Sequence, residues 1–280
     1  MNATLFGYLA LARPLGWAPF IFALVFGIMD SQPAAPFSII LLAAWVLLCG
    51  SIMAVNFYSD VSVDRINTGS KDVKVDRQPF VTGRIRKRSG LLFAAALAAG
   101  GLFSALSLSY SVLTLALLFF ALQTFYSIGP RLKSVPFIDV LLNSVSVAVS
   151  YAVPFPSLSS TAWQPLLWLS FFSASLYMLT LLADARPDRK AGIMTTAVFL
   201  GGRKGTVLGF VFYMVSLPFF LLALDKNPAA HYYLMLPFIL AGIFAYIAIL
   251  KNGALINKIL KVMYCTAGAV VAFLLVLYLL

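Results

Sequence analysis

The chain contains no glutamate: its nine acidic residues are all aspartate, against 20 lysines and arginines. It has one histidine and two cysteines, and only 10% of its 280 residues are charged. Charge this sparse, with 62% hydrophobic residues and a mean hydropathy of +0.97, excludes an ordinary soluble domain. Cys49 and Cys265 fall in apolar stretches and read as small buried hydrophobes, not as a disulfide or a metal pair. The lone His231, beside Tyr232 and Tyr233, reads as an interfacial residue more than as a catalytic base. No Ser/His/Asp triad, Cys/His zinc pattern or P-loop is present, and Gly201-Gly202 is a helix-breaking turn, not a nucleotide loop. Low-complexity segments are absent too.

What remains is apolar sequence in long runs. About 20 apolar residues cross the hydrocarbon core of a bilayer. On that rule nine spans are expected, near 15–31, 38–58, 89–107, 110–127, 136–155, 163–183, 205–224, 231–250 and 259–279. The fold class is therefore all-α, a polytopic membrane protein with one domain over residues 1–280. The opening MNATLFGYLALARPLGW lacks a basic n-region and a cleavage site, so it reads as an amphipathic lead-in to the first span. Every lysine and arginine except Lys226 then falls on one side of the membrane. By the positive-inside rule the N-terminus is cytoplasmic and the C-terminus outside, in a prokaryotic plasma membrane. Loop charge facing anionic lipid and an anionic substrate accounts for the net +11 without nucleic acid.

Two polar patterns stand out on that basic side. Asn56, Asp60 and Asp64, in NFYSDVSVD, are spaced four apart, so a helix stacks them along one face. Asp184 and Asp188, in LLADARPDRK, follow another apolar segment and again open a basic loop. Each group ends an even-numbered span, which divides the domain into two pseudo-repeated halves with one Asp-rich motif apiece. Carboxylates at a membrane boundary are costly and usually functional. Two such clusters beside basic loops describe a site for a divalent metal plus a polyanion, with Mg2+ bridging phosphate oxygens as the economical version. Asn56, Asp60, Asp64, Asp184 and Asp188 are the candidate metal ligands and catalytic residues. Helix caps and salt bridges to loop cations are the plainer reading of either motif alone.

Arg77, Lys133, Arg131, Arg65, Arg189 and Lys190 are placed to reach a phosphate, although loop cations of this kind also serve only to set topology. Tyr126, in FYSIGPRLKS, reads either as an interfacial anchor or as a substrate contact. Asp139 lies slightly inside the fifth span with Asn143 one turn later, and at that depth calls for a polar cavity or a cationic partner.

NFYSDVSVDRIN followed by RQPFVTGRI, together with ADARPDRKAGIMTTAVFLG, resembles the UbiA superfamily of intramembrane prenyltransferases. Members carry NxxxDxxxD after span two and an Asp-rich motif ending in DxxxGxxT after span six, matched here by Asp188, Gly192 and Thr195. FYSIGPRLKS is similar to a third family motif. The resemblance implies nine helices around a central lipid-facing cavity, with Mg2+ between the two Asp motifs and a polyprenyl diphosphate at the cytoplasmic mouth. It implies metal and diphosphate ligation by Asn56, Asp60, Asp64, Asp184 and Asp188, and diphosphate contacts from Arg77 and Lys133. Two departures bear on this: Leu181 stands where many members have a further acid, and the stretch around Asp76 and Arg77 is longer than in many relatives. PDRKAGIMTTAVFLG and KSVPFIDVLLNSVS look more like the carotenoid branch, the lycopene elongases.

The expected activity is transfer of a prenyl group from an allylic diphosphate to a lipophilic acceptor, with a carotenoid such as lycopene as the first choice. A quinone precursor, a chlorophyllide and geranylgeranylglyceryl phosphate remain open as acceptors. A transporter would also tolerate proline-broken helices and intramembrane polar groups, but its site would sit nearer the midplane.

Overall fold

The computed structural model describes residues 3–66, 78–155, 163–226 and 229–279. Eleven α-helices follow in order: α1 (Ala3–Ala12), α2 (Ala18–Ser31), α3 (Ala35–Ile66), α4 (Lys87–Leu108), α5 (Tyr110–Ser127), α6 (Ile138–Ala152), α7 (Trp163–Lys190), α8 (Thr196–Leu200), α9 (Gly202–Lys226), α10 (Ala230–Lys251) and α11 (Ile256–Leu279). Short 3-10 turns sit at Pro14–Trp17, Leu132–Ser134 and Gly253–Leu255.

Helix length decides where the acids end up. Between Gly50 and Ile66 no glycine or proline interrupts the sequence, so α3 runs for 32 residues, well past the expected end near residue 58. At 1.5 Å per residue that is about 48 Å, against an apolar core of about 30 Å. The last turns of α3, carrying Asn56, Asp60 and Asp64, therefore continue beyond the apolar part of the helix. The same holds for α7, whose 28 residues extend through Asp184 and Asp188 to Lys190. Pro187, between those two acids, lacks the N–H that would bond back to the preceding turn.

By length and apolarity seven of the described helices can cross a membrane. Expected spans one and five correspond instead to α2 and α6, of 14 and 15 residues. α2 lies inside the bundle, whereas α6 buries one face and leaves Leu141 and Val145 exposed on the other. Every residue of α2 from Phe20 to Ile28 is buried, and α2 packs directly on α6. The two backbones touch there: a Cβ on Gly27 would collide with the Tyr151 carbonyl oxygen. Around them Trp45, Phe119, Trp168 and Phe220, all essentially inaccessible, build one large aromatic and aliphatic core. The heaviest contacts between outer helices are α7 with α9 and α3 with α4.

The end of the bundle opposite Asp60 is closed by a polar knot. Asp30, near the end of α2, accepts hydrogen bonds from Tyr151 of α6 (2.8 Å) and Tyr232 of α10 (2.6 Å), and pairs with His231 Nε2 at 2.9 Å. His231 is thus not an interfacial residue: it is 3% exposed, with Phe26 edge-on against its ring. At the same end Tyr278 of α11 donates to the Pro33 carbonyl (2.6 Å) and meets the Ser38 hydroxyl (2.8 Å).

Candidate functional site

The chain between α5 and α6 bends sharply twice. Arg131 and Phe137 both hold positive φ, 49° and 68°, in a region side chains normally avoid. The bends fold the intervening segment under the end of α3 and aim its two cations at the acids. Lys133 Nζ lies 2.9 Å from Asn56 Oδ1, 2.5 Å from Asp60 Oδ1 and 3.3 Å from Ser59 Oγ. Arg131 Nη2 reaches the same Asp60 oxygen at 3.0 Å. Asp64, half-buried one turn further, acts on Lys133 electrostatically. Burial lowers the Lys133 ammonium from the usual lysine range, and Asp60 pushes it back up.

The second motif approaches the first through a pair of phenols. Tyr126 of α5 and Tyr177 of α7 hydrogen-bond hydroxyl to hydroxyl. The carboxylates of both Asp60 and Asp188 lie within electrostatic reach of Tyr126, and that of Asp184 within reach of Tyr177. Acids from the two halves of the chain therefore share one neighbourhood. Tyr177 was not singled out by sequence reasoning, because one tyrosine in the apolar run LYMLTLL has no local pattern to mark it.

Other expected residues are placed less directly. Arg65 and Lys190 are exposed on the last turns of α3 and α7. Arg189 is exposed and donates to the Val198 carbonyl at 3.4 Å, tying the loop after α7 to α8. Arg77 lies outside the described residues. Its neighbour Gln78 is wholly buried and donates to the Phe57 carbonyl at 2.9 Å, which pins the chain to the motif turn of α3. Arg13 stands over the Phe57 ring, 5.4 Å from its centre. Of the two surroundings expected for Asp139, a polar one is found: two backbone amides and the Thr196 hydroxyl donate to that carboxylate.

Whether this donor set suits Mg2+ can be judged from what already occupies it. The Lys133 ammonium is a compact cation ringed by three oxygens, one of them a carboxylate, so the pocket is built for positive charge. All donors are hard oxygens, as Mg2+ prefers. Among the described residues no three acids, histidines or cysteines gather into a ready-made cage. Mg2+ does not need one, because it is ordinarily held by one or two carboxylates together with substrate phosphates. Arg131 Nε, buried and without a hydrogen-bond partner among the described residues, is a donor still open to such a phosphate. The residues fit the ion.

The chain is similar to several known proteins. A digeranylgeranylglyceryl phosphate synthase of Thermococcus gammatolerans is 25% identical over 226 residues, spanning 80% of this chain and 79% of its own. A lycopene elongase/hydratase of Haloarcula japonica is 28% identical over 214 residues, 71% of this chain and 68% of its own. In three dimensions the chain is similar to a UbiA homolog from Archaeoglobus fulgidus solved with GPP and Mg2+, at a TM-score of 0.78 and 20% identity, covering 96% of this chain and 99% of that one. The same homolog with DMAPP and Mg2+ gives a TM-score of 0.75 at 21% identity, covering 95% and 99%. The sequence profile of the UbiA prenyltransferase family matches residues 16–264, and with nearly the whole length matched, this chain belongs to that family: it is an integral membrane prenyltransferase.

Proposed function

We propose that this enzyme moves a prenyl group from an allylic diphosphate to a carotenoid acceptor such as lycopene, with Mg2+ held between its two Asp motifs. The observation that carries the proposal is the convergence of Lys133 and Arg131 on Asn56 and Asp60, beside a tyrosine pair that feels both motifs. Asn56, Asp60 and Asp64 serve the first half of the site and Asp184 and Asp188 the second. Mg2+ held by these residues would neutralise charge on the diphosphate.

Lys133 and Arg131 exchange their carboxylate partners for phosphate oxygens when the donor binds, and Arg77, Arg65 and Lys190 add positive charge around it. The Tyr126 hydroxyl donates to the same group. With its charge balanced, the diphosphate leaves with the electron pair of the carbon–oxygen bond. The allylic cation is attacked by the π electrons of the acceptor, and the adduct then loses a proton to the released diphosphate. Aromatic faces nearby favour the cation, and exclusion of water protects it from hydrolysis. The orientation that suits this chemistry has the N-terminus and both motifs at the cytoplasmic face, since all basic residues but Lys226 lie on that side of the expected topology. The bilayer then delivers the acceptor.

The C5 donor is supported by the DMAPP complex of the structural relative, and the carotenoid acceptor by the lycopene elongase/hydratase relative and the sequence around Asp188. The Thermococcus relative favours a second reading, geranylgeranylglyceryl phosphate as acceptor. Membranes containing the enzyme, given labelled C5, C15 and C20 diphosphates against lycopene, quinone-precursor, chlorophyllide and glyceryl phosphate acceptors, decide between them. Label entering lycopene from the C5 donor, with Mg2+ and not with EDTA, is the expected result. Transfer only to a glyceryl phosphate lipid would replace the acceptor, and full activity in Asp60→Ala or Asp184→Ala would overturn the site.

A further inference from the structure

Asp139 has no place in the chemistry above, yet it is wholly buried and fully engaged. Its Oδ2 accepts from the Thr196 amide at 2.8 Å, and its Oδ1 accepts from the Val140 amide at 2.8 Å and from the Thr196 hydroxyl. That hydroxyl in turn accepts from the Phe137 amide at 2.6 Å. One carboxylate thus ties the first turn of α6 to the first residue of α8. Two backbone amides and a hydroxyl satisfy its oxygens, so the buried carboxyl is not left without hydrogen bonds.

The two strands of chain so joined are those that carry the two halves of the site. On one side, the segment from Arg131 to Phe137 delivers Lys133 to Asn56 and Asp60. Its exit residue Phe137 is at positive φ, a strained conformation that persists only where the surroundings impose it, and its amide is bonded to Thr196. On the other side, the loop after Asp188 is short and internally bonded. Ile193 N bonds to the Asp188 carbonyl at 2.9 Å, Gly192 N to Arg189 O at 3.2 Å, and Thr195 caps α8 through Val198 N at 3.3 Å. Movement of Thr196 is therefore passed to the end of α7, where Asp184 and Asp188 sit.

We infer that Asp139 is a positioning residue: through Thr196 it sets the spacing between the Lys133 arm and the Asp184/Asp188 helix end, and thereby the affinity of the site for Mg2+ and diphosphate. This rests on the metal–diphosphate reading above. A conformational clasp of this kind costs nothing at binding, because the arm is already bent before ligand arrives.

The test uses the full chain in detergent, as wild type, Asp139→Asn, Thr196→Val and Thr196→Ser. Thermal midpoints are read alone and with Mg2+ plus inorganic pyrophosphate, and the half-saturating Mg2+ for donor turnover is measured alongside. Spin labels at Val135→Cys and Arg186→Cys, in a Cys265→Ser background, report the spacing directly. Asp139→Asn and Thr196→Val are expected to broaden the label distance, shrink the ligand-induced rise in midpoint and raise half-saturating Mg2+ at least about tenfold, with Thr196→Ser close to wild type. If Asp139→Asn is not recovered folded, Thr196→Val gives the same reading. A fall in the unliganded midpoint with unchanged distance, ligand response and Mg2+ requirement would make Asp139 merely structural and overturn the inference. A wild type that Mg2+ and pyrophosphate do not stabilise overturns the underlying metal–diphosphate reading instead, and is recognised because it needs no variant.

Discussion

Lys133 Nζ sits 2.5 Å from Asp60 Oδ1, nearer than Arg131 Nη2, which reaches the same oxygen at 3.0 Å. The lysine is 8% exposed on its side chain and the aspartate 23%, so the pair is largely withdrawn from water and its charges need each other. The position that this ammonium fills beside Asn56 and Asp60 is the one that a metal would contest.

That competition gives the first prediction. In Lys133→Gln the rival cation is gone, so Mg2+ alone should raise the thermal midpoint more than it does in wild type. Pyrophosphate should add less, because a phosphate partner has been removed. Prenyl transfer should fall about 100-fold, the usual loss when one charge-stabilising donor is deleted. Thermal shift with each ligand separately, and a rate measurement, check both signs. A variant that loses the Mg2+ response along with the pyrophosphate response would mean that the lysine helps to build the metal site and does not contest it.

The tyrosine pair predicts coupling. Tyr126 and Tyr177 share a hydrogen bond that links α5 to α7. Tyr177→Phe keeps the ring and deletes the hydroxyl, leaving Tyr126 to find another partner. We expect kcat/KM for the donor to fall about tenfold, equivalent to the roughly 1.4 kcal/mol of one hydrogen bond to a buried group. Tyr126→Phe should cost at least as much, and the double variant no more than the worse single one, since both deletions remove the same bond. Simple additivity of the two losses would show that the hydroxyls act separately.

Much of this site was legible before any coordinates, and the reason is local. Asn56, Asp60 and Asp64 repeat every four residues, which is a helical spacing, and no breaker separates them from the apolar run that they end. Lys133 and Arg131 were legible as charges beside a family motif, but not their direction of approach, which depends on two positive-φ residues that no glycine announces. A buried Asp139 calls for polar surroundings or a cation, but its partners, the adjacent Val140 amide and Thr196 57 residues on, depend on a long-range contact that no local pattern marks. Expected spans one and five correspond to the shorter helices α2 and α6, of 14 and 15 residues. The knot at Asp30 has no local signature, because its partners lie 121, 201 and 202 residues away.

Close packing of α2 on α6 predicts a sharp contrast between two glycines. At Gly27 a methyl group would strike the Tyr151 carbonyl, a backbone atom that cannot turn aside. Gly27→Ala should therefore force α2 from α6 and lower the thermal midpoint substantially, at a cost of about 1–3 kcal/mol or more, as overpacking generally does. Gly268, in α11, has nothing within 4 Å, so Gly268→Ala should leave the midpoint unchanged or slightly raised by the better helix propensity of alanine. Equal midpoints for the two variants would mean that α2 and α6 are not in contact.

The last prediction concerns the far end, where stability and chemistry should separate. Asp30 is 5% exposed on its side chain and gathers Tyr151 from α6 and the adjacent His231 and Tyr232 from α10. Replacing it with alanine strands three buried polar groups at once, each of which loses its acceptor in a place water hardly reaches. The expected loss is about 3 kcal/mol or more, since leaving such groups unsatisfied costs more than the bonds themselves contribute. Asp30→Asn keeps one acceptor oxygen but turns an NH2 toward the donors, so it should be intermediate. His231→Gln, which can still donate to Asp30, should be mildest. None of the three touches the motif-bearing end, so the rise in midpoint with Mg2+ and pyrophosphate should match wild type in all of them. Thermal melts with and without those ligands give the whole ranking in one series. An Asp30→Ala protein that melts like wild type would show that the knot does not hold the bundle closed, and one that loses only its ligand response would tie this end to the reaction.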